Sequence, residues 1–146
     1  MSAQRTDPYK NYNFLVEINN IKSAGFSVCI VPDSSVDAIE YREGSDVETG
    51  VRKLPGRVKY SNLVLKRGLT NSQDLWLWHM NVVTGVPDRR QVSVTLLDDS
   101  KASVMKWTFY NAWPTKYEIS PLQGKGNDVV IESLEIAHER MELNQT

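Results

Sequence analysis

Hydrophobic and polar residues alternate with a period of two over most of the chain, a pattern typical of β-strands that bury one face. Two such runs precede Pro32, and the second is predicted to end there because proline cannot donate to a β-ladder. Their predicted inward positions are Phe14, Val16, Ile18, Phe26, Val28 and Ile30. This part of the sequence therefore predicts two short, half-buried strands.

The same alternation continues in the middle of the sequence. Residues 36–42 are predicted to be extended, and residues 57–67 are predicted to form one long strand. Within the long strand Leu63, Leu65 and Arg67 share one face, since residues two apart point to the same side of a strand. These two runs add further strands to the predicted sheet.

The second half of the sequence predicts a hairpin and a final strand. Residues 92–96 and 105–109 alternate, and Asp98-Asp99-Ser100-Lys101 forms the turn between them. The final strand is predicted over residues 130–137, after a turn at 124–127. Its predicted buried positions are Val130, Leu134 and Ile136.

One helix interrupts the strand pattern. Thr70 followed by Gln73 matches a capping box at its start, and Gly85 with Pro87 marks its end. The helix is predicted over about residues 71–84. Its packing stripe consists of Leu75, Trp78 and Val82, enlarged by Trp76, Met80 and Val83. A helix this apolar is expected to pack against the sheet of its own chain or of a neighbour.

Composition narrows the class of protein. The 146 residues fit a single domain over 1–146, and the predicted elements make it mainly β with one helix (α+β). A formal net charge of −1 argues against a general nucleic-acid binder. The apolar runs are too short to span a bilayer, and no signal peptide is predicted, so we expect a soluble protein made in the cytoplasm.

Candidate chemical groups are few and scattered. One cysteine, Cys29, excludes an intrachain disulfide framework and is expected to be a buried structural thiol. His79 and His138 are isolated, whereas zinc needs three or four ligands. Asp98-Asp99 is ordinary turn chemistry, and Gly124-Lys125-Gly126 is too short for a phosphate-binding loop. The sequence therefore predicts no catalytic residue, no metal and no cofactor.

Charge is segregated along the chain. Residues 33–48 hold six acids and one base, whereas residues 51–67 hold six bases and no acid. One interpretation is that the two segments pair within a hairpin of one chain. The other is that they meet between neighbouring copies and fix their orientation, with Asp37, Glu40, Lys59 and Arg67 as the intersubunit charge pairs. The sequence leaves both open.

Short blocks spread over the whole chain resemble a known family. They are Asp7-Pro8-Tyr9, Phe14-Leu15-Val16-Glu17-Ile18, Ile39-Glu40-Tyr41-Arg42-Glu43-Gly44, Lys53-Leu54-Pro55-Gly56, Lys59-Tyr60-Ser61-Asn62, Leu65-Lys66-Arg67-Gly68-Leu69-Thr70, Leu75-Trp76, Trp78-His79, Asn111-Ala112-Trp113-Pro114-Thr115-Lys116-Tyr117, Gly126-Asn127 and Glu135-Ile136-Ala137-His138-Glu139. In this order they resemble the tail tube (inner tube) proteins of contractile phage tails and of related extracellular contractile injection systems.

The resemblance implies an antiparallel β-sandwich or barrel with one flanking helix. It also implies hexameric rings, each closing a large inner barrel, stacked into a hollow tube without catalytic activity. The implied partners are further copies of the chain, a sheath protein, baseplate and tube-initiator proteins, and cargo protein or DNA in the lumen, with no membrane insertion. The implied setting is assembly in a bacterial cytoplasm and incorporation into a virion or an extracellular phage tail-like particle.

The long segment 43–56 combines glycines with charges and exceeds most strand connections, so it is expected to be functional. With the family pattern, it is expected to contact the adjacent ring along the tube axis. The expected ring-stacking residues are Glu43, Gly44, Asp46, Glu48, Arg52 and Lys53.

Two departures from the family pattern leave the exact role open. Residues 28–32 are apolar where the family more often has a polar turn, and Asn20 replaces a common glycine. A main-tube protein, a specialised segment near the baseplate and a ring that carries effector in its lumen all fit. So do a phage tail, an injection device and a bacteriocin. A small β-barrel enzyme or ligand-binding domain is the alternative from another class, and it would need a pocket with convergent polar groups.

Overall fold

The computed structural model describes residues 9, 13–21, 25–41 and 52–145. Within them the chain forms nine strands and one helix. In chain order these are β1 (Phe14–Ile18), β2 (Val28–Ile30), β3 (Ser34–Tyr41), β4 (Arg52–Tyr60), β5 (Leu63–Gly68), α1 (Asp74–Val83), β6 (Arg90–Leu97), β7 (Ser103–Ile119), β8 (Ile131–Ala137) and β9 (Arg140–Gln145). The predicted mainly β class with one helix is confirmed.

Seven strands form one antiparallel sheet that is divided by its longest member. The order is β1-β6-β7-β8-β5-β2, and β9 also pairs with β7. The first part of the 17-residue β7 pairs with β6 and β9, and its last part pairs with β8. This strand therefore belongs to two layers, β1-β6-β7-β9 and β7-β8-β5-β2.

The hydrophobic core lies between these layers and under the helix. Both layers and α1 contribute to it, as expected for a fold that buries the apolar face of each element. Its fully buried members include Leu63, Leu65, Leu75, Trp78, Val92, Phe109, Leu134 and Ile136. The β6–β7 hairpin is present, and Asp98 forms its turn by accepting hydrogen bonds from the backbone N–H groups of Ser100 (2.9 Å) and Ala102 (3.0 Å).

The prediction of one long strand over 57–67 is wrong. The strand is interrupted at Ser61 and Asn62, and its two parts have different partners. β4 pairs with β3, while β5 pairs with β2 and β8. Ser61 closes the break by donating its N–H to the carbonyl of Asp33 (3.1 Å) and accepting from the N–H of Asp33 (2.7 Å). The alternation runs through the break unchanged, and for that reason it could not reveal that the sheet partner changes.

The predicted capping box is also wrong. The helix begins at Asp74 after Gln73, without a side-chain cap, and Thr70 accepts a hydrogen bond from the N–H of Ser72 (3.3 Å) instead. The Asp74 carboxylate accepts from the N–H of Leu75 (2.8 Å), the first turn of the helix. The chain leaves the helix through Gly85, whose positive φ of 81° favours glycine.

One strand differs in phase from the prediction. In β2, Val28 and Ile30 are exposed, and Cys29 packs against the core. This error comes from reading hydrophobicity alone, because an edge strand can expose valine and isoleucine. In β8 the predicted phase is confirmed, since Leu134 and Ile136 are buried, and Glu132 is buried on the same face.

Asn20 adopts a positive φ of 65°, the left-handed conformation that asparagine tolerates better than most residues. The conformation itself explains why a glycine fits the same position. Across the described residues, no helix has the length and apolar character that a bilayer crossing requires.

Candidate assembly surfaces

The β3–β4 hairpin is largely exposed. All eight residues of β3 are exposed, and so are most residues of β4. Within the described residues, the extensive contacts of these two strands are with each other. The hairpin therefore projects from the body and adds almost nothing to its core.

Both faces of this hairpin carry apolar side chains. Val36 lies opposite Val58 on one face, and Ile39 lies opposite Leu54 on the other. Each of the four is about half exposed, from 48% to 52%. Gly56 allows the strands to close around Ile39, because a Cβ there would lie 2.7 Å from Ile39 Cγ1. A two-stranded arm with apolar groups on both sides needs a covering surface from elsewhere.

Two of the six expected ring-stacking residues lie in the β3–β4 hairpin. Arg52 and Lys53 are exposed at the start of β4, opposite Tyr41 and Glu40 respectively. The remaining four, Glu43, Gly44, Asp46 and Glu48, lie outside the described residues. Residues 52–56, which were predicted to belong to the loop 43–56, are part of β4.

Three of the four proposed intersubunit charges also lie on the hairpin. Lys59 Nζ is 3.3 Å from Asp37 Oδ2, with both side chains about half exposed. Glu40 lies opposite Lys53 across the two strands. The Asp37–Lys59 contact matches the pairing within one chain that the sequence left open. An exposed pair contributes little to folding, typically 0.2 to about 1 kcal/mol.

Arg67 does not fit the proposed set of intersubunit charges. Its side chain is 1% exposed and forms salt bridges with Glu132 of β8 and Asp74 of α1 in the same chain. The guanidinium also faces the ring of Phe26, 5.4 Å from its centroid. Because its charge is matched inside the body, Arg67 is a packing residue of this fold.

This buried ion cluster joins the helix to the β7-β8-β5-β2 layer. Tyr117 of β7 donates its hydroxyl to Glu132 Oε2 at 2.6 Å, so the cluster links four elements. Burial and this hydrogen bond raise the pKa of Tyr117. Burial opposes the charge of Arg67, but hydrogen bonds to Glu132 and Asp74 outweigh it and raise the pKa of the guanidinium. The cluster ties the first residue of the helix to three strands.

The three residues of the predicted packing stripe on the helix are buried to different extents. Leu75 and Trp78 are fully buried, whereas Val82 is only partly buried. Trp78 donates its indole N–H to the carbonyl of Asp88 at 2.8 Å, which satisfies its one polar group. Trp76 is 42% exposed and packs edge-on against Tyr117, with ring centroids 5.2 Å apart.

The layer β7-β8-β5-β2 has open edges on both sides. Within the described residues, β2 pairs only with β5, and the last part of β7 pairs only with β8. At the β2 edge Val28 and Ile30 are exposed. Open strand edges are sites for pairing with another chain unless they are covered or blocked.

The two faces of this layer differ in kind. One face is the core side, with Leu65 and Leu134 fully buried. The other face has no described element over it, and it carries polar side chains in cross-strand register. Lys66 lies opposite Ser133, which lies opposite Glu118, and Val64 lies opposite Glu135, which lies opposite Lys116.

The groups considered for chemistry lack the partners that chemistry needs. Burial raises the pKa of Cys29 to about 11, so its thiol is protonated at neutral pH. His79 stacks on Tyr117, and a ring nitrogen of His138 lies 3.0 Å from the carbonyl of Ser61. Among the described residues, no group of three or more His, Cys, Asp or Glu side chains is placed to hold a metal.

Neither the burial of Glu132 nor the polar face of the β7-β8-β5-β2 layer was predicted from the sequence. A signal was present for Glu132, because it alternates with Leu134 and Ile136 as Arg67 alternates with Leu63 and Leu65. Two charges of opposite sign at buried positions of strand patterns indicate a buried pair. The polar face gave no comparable signal, since its definition requires the strand order.

Comparison with solved structures shows close matches over nearly the whole chain. A chain in the cryo-EM structure of the anti-feeding prophage (AFP) baseplate, 6-fold symmetrised, is 25% identical with a TM-score of 0.84, over 96% of this chain and 97% of that chain. A chain in the PVC sheath-tube complex in the extended state, from an extracellular contractile injection system, is 22% identical with a TM-score of 0.82, over 97% and 94%.

More distant structures share the fold. Hcp1 from Flavobacterium johnsoniae is 16% identical with a TM-score of 0.58, over 91% of this chain and 95% of that chain. A comparison with curated protein sequences found no match. The family model of the T4-like virus tail tube protein gp19 matches residues 10–142. Since that match spans nearly all of the sequence, the chain belongs to the T4-like virus tail tube protein gp19 family and is a structural tail tube protein.

Proposed function

We propose that copies of this chain join side by side through the open edges of the β7-β8-β5-β2 layer and close into a ring. The observation that carries the proposal is that, among the residues that the structure describes, one four-stranded layer has two unpaired edges. Pairing β2 of one copy with β7 of the next removes both edges in every copy, which is what barrel closure achieves. The ring so formed is the unit of a tube whose role is assembly and passage, without catalysis.

The direction of curvature follows from the two faces of the layer. The core side carries the helix and the second layer, whose bulk requires the outside of a ring. The polar face with Lys66, Glu118 and Glu135 is therefore the channel wall. A polar wall suits a water-filled channel, because it needs no further covering.

We infer six copies per ring and further partners from the relatives. The matched AFP structure is described as a 6-fold symmetrised baseplate, and the PVC structure as a sheath-tube complex. Sixfold rings, a surrounding sheath, and a baseplate or initiator at one end follow for this chain by similarity. Assembly in a bacterial cytoplasm and cargo in the lumen belong to the same proposal.

Rings stack head to tail in this account, because the two ends of the layer differ. The hairpin base lies at the end formed by Ile30 and Leu63, whereas the loop 120–130 joins β7 to β8 at the opposite end. That loop exposes Leu122 (77%) and Val129 (71%). Contacts between two unlike surfaces repeat indefinitely when they do not close, which is how a tube grows.

Disulfide crosslinking tests the ring. In a Cys29→Ser background, cysteines replace Val28 or Ile30 on one edge and Lys116 or Glu118 on the other, in all four combinations. At least one combination should give an oxidised ladder that stops at the hexamer, and each single cysteine should give dimers at most. Rings visible by electron microscopy without any ladder would contradict the edge pairing.

Mixing two defective variants tests the stacking. Ile39→Asp/Val58→Asp alters the hairpin, and Leu122→Asp/Val129→Asp alters the opposite loop. Each alone should give rings without tubes. Their mixture should give two-ring stacks, because one intact junction remains. Leu143→Asp, at a side chain 54% exposed on β9, is the control and should give full tubes. A mixture that still contains only single rings would contradict the head-to-tail account.

A further inference from the structure

The exposed face of the β7-β8-β5-β2 layer holds a balanced set of charges. Its four charged side chains are Lys66, Lys116, Glu118 and Glu135, two of each sign. None is on the core side, since the neighbours that alternate with them, such as Arg67 and Leu134, are buried. The formal charges of the four side chains therefore cancel.

The two signs also alternate in position. Across the strands, Lys66 and Glu118 lie in one row on either side of Ser133, and in the next row Glu135 lies directly opposite Lys116. Along β7, Lys116 Nζ is 3.4 Å from Glu118 Oε2. Lys116 thus has two glutamates as close neighbours, whereas Lys66 lies diagonal to Glu135 and is separated from Glu118 by Ser133. Directly opposite residues have Cβ atoms about 5 Å apart.

Such alternation cancels the field a short distance from the surface. Opposite charges about 5 Å apart look neutral to a molecule farther away than their spacing. Salt reinforces this, since the Debye length is about 8 Å at physiological ionic strength. Nucleic acid binds to unpaired lysines and arginines by displacing counterions, and here Lys116 already faces a carboxylate while Lys66 is the one lysine of this face without one directly opposite.

The remaining positions of the face suit protein surfaces. Val28, Ile30 and Val64 form a short apolar stripe beside the charged rows. A folded protein presents mixed charges, and more than half of its surface is apolar, so it can touch such a wall without strong attraction or repulsion. A polyanion finds neither a basic track nor a stacking surface there.

Building on the proposed ring, we infer that the channel wall is charge-compensated and fits protein cargo, and that it retains nucleic acid no better than a neutral surface does. The alternation of Lys66, Lys116, Glu118 and Glu135 carries this inference. Reversing the glutamates should turn the neutral wall into a basic one.

The experiment measures retention of a fluorescent single-stranded oligonucleotide by sedimented tubes. Wild-type tubes should retain background amounts at low salt. Glu118→Lys/Glu135→Lys tubes should retain about tenfold more, and the excess should disappear as salt rises from about 50 to 200 mM. Glu139→Lys/Glu142→Lys is the matched control, with the same change in net charge on side chains outside the wall, and it should retain little.

Several outcomes would overturn the inference. Salt-sensitive retention by wild-type tubes at the level of the reversed wall would identify nucleic acid as the cargo that the wall fits. Equal retention by the reversed wall and the control would show that this face does not line the channel. If the double reversal prevents tubes, the single variants Glu118→Gln and Glu135→Gln take its place. Each removes one carboxylate charge from the face without adding a lysine. Each should raise retention by a smaller, salt-sensitive factor, and unchanged retention would contradict the account.

The inference and the proposed ring fail in different ways. Absence of rings and tubes by electron microscopy would remove the proposed function itself. Normal tubes in which Ser133→Cys, placed in the Cys29→Ser background, reacts fully with a maleimide carried on an antibody would remove only the wall assignment. Protection of that cysteine in tubes, with full reaction in the denatured chain, is the expected result.

Discussion

The hairpin β3–β4 and the sandwich body handle charge in opposite ways. In the hairpin, Asp37 and Lys59 form a salt bridge in which both side chains remain about half exposed. In the body, Arg67 and Glu132 are each 1% exposed and bonded to one another. The same residue classes thus form an exposed surface contact in one region and a buried internal contact in the other.

The comparison separates folding from assembly. The body has a continuous core and an ion cluster whose salt bridges lie within one chain, so its stability is internal to that chain. Within the described residues the hairpin has no core of its own, and in the proposed tube half-exposed side chains such as Val58 and Ile39 would be covered by another copy. Substitutions in the body are therefore expected to change unfolding, and those in the hairpin are expected to change assembly.

The largest effect is expected from Arg67→Met. It leaves Glu132 buried without its ionic partner, and breaking a buried pair in this way costs about 3–5 kcal/mol in the free energy of unfolding. Urea denaturation of the isolated chain measures the loss. Lys59→Met in the hairpin is the control, with a loss below about 1 kcal/mol. Adding Glu132→Leu to Arg67→Met should recover part of the stability, and equal losses at both lysine and arginine positions would contradict the comparison.

A comparable loss is expected from Trp78→Ala in the helix. Truncating a fully buried tryptophan costs about 3–5 kcal/mol. Trp76→Ala, two residues earlier and 42% exposed, removes mainly the edge contact with Tyr117 and should cost about 1 kcal/mol. Thermal unfolding of the two variants measures the difference, and equal melting temperatures would show that the helix is not anchored through Trp78.

Some features of the fold could be predicted from the sequence and others could not. Periodicity predicted a mainly β chain, the helix, its buried Leu75 and Trp78 positions, and the turn at Asp98. It did not predict that residues 57–67 change partner at Ser61, because alternation is a local property and pairing is not. The channel wall depends on which strands are neighbours, which only the sheet order reveals.

Charge reversal in the hairpin should have a small effect on stability and a larger one on assembly. Asp37→Lys alone places like charges beside Lys59, and the isolated chain should lose at most about 1 kcal/mol. Asp37→Lys/Lys59→Glu restores an opposite pair and should recover that loss. If the pair acts only within one chain, tube length should follow the same pattern as stability. If these charges also contact a neighbour, tube length should stay reduced in the double variant at low salt and recover as salt screens the contact.

The smallest change in stability is expected from Ile39→Asp/Val58→Asp. Substitution of exposed side chains usually changes the free energy of unfolding by no more than about 0.5 kcal/mol. The melting temperature of the isolated chain should therefore stay close to that of the wild type, although tubes should be absent. A large drop in melting temperature would show that the hairpin belongs to the folding unit after all.

Negative-stain electron microscopy of the purified chain, beside this hairpin variant, tests the central claim most directly. The account predicts hollow rods for the wild type, built from stacked sixfold rings, and separate rings of the same diameter for Ile39→Asp/Val58→Asp. A wild-type chain that is folded yet stays monomeric at every concentration, with neither rings nor rods, would contradict it.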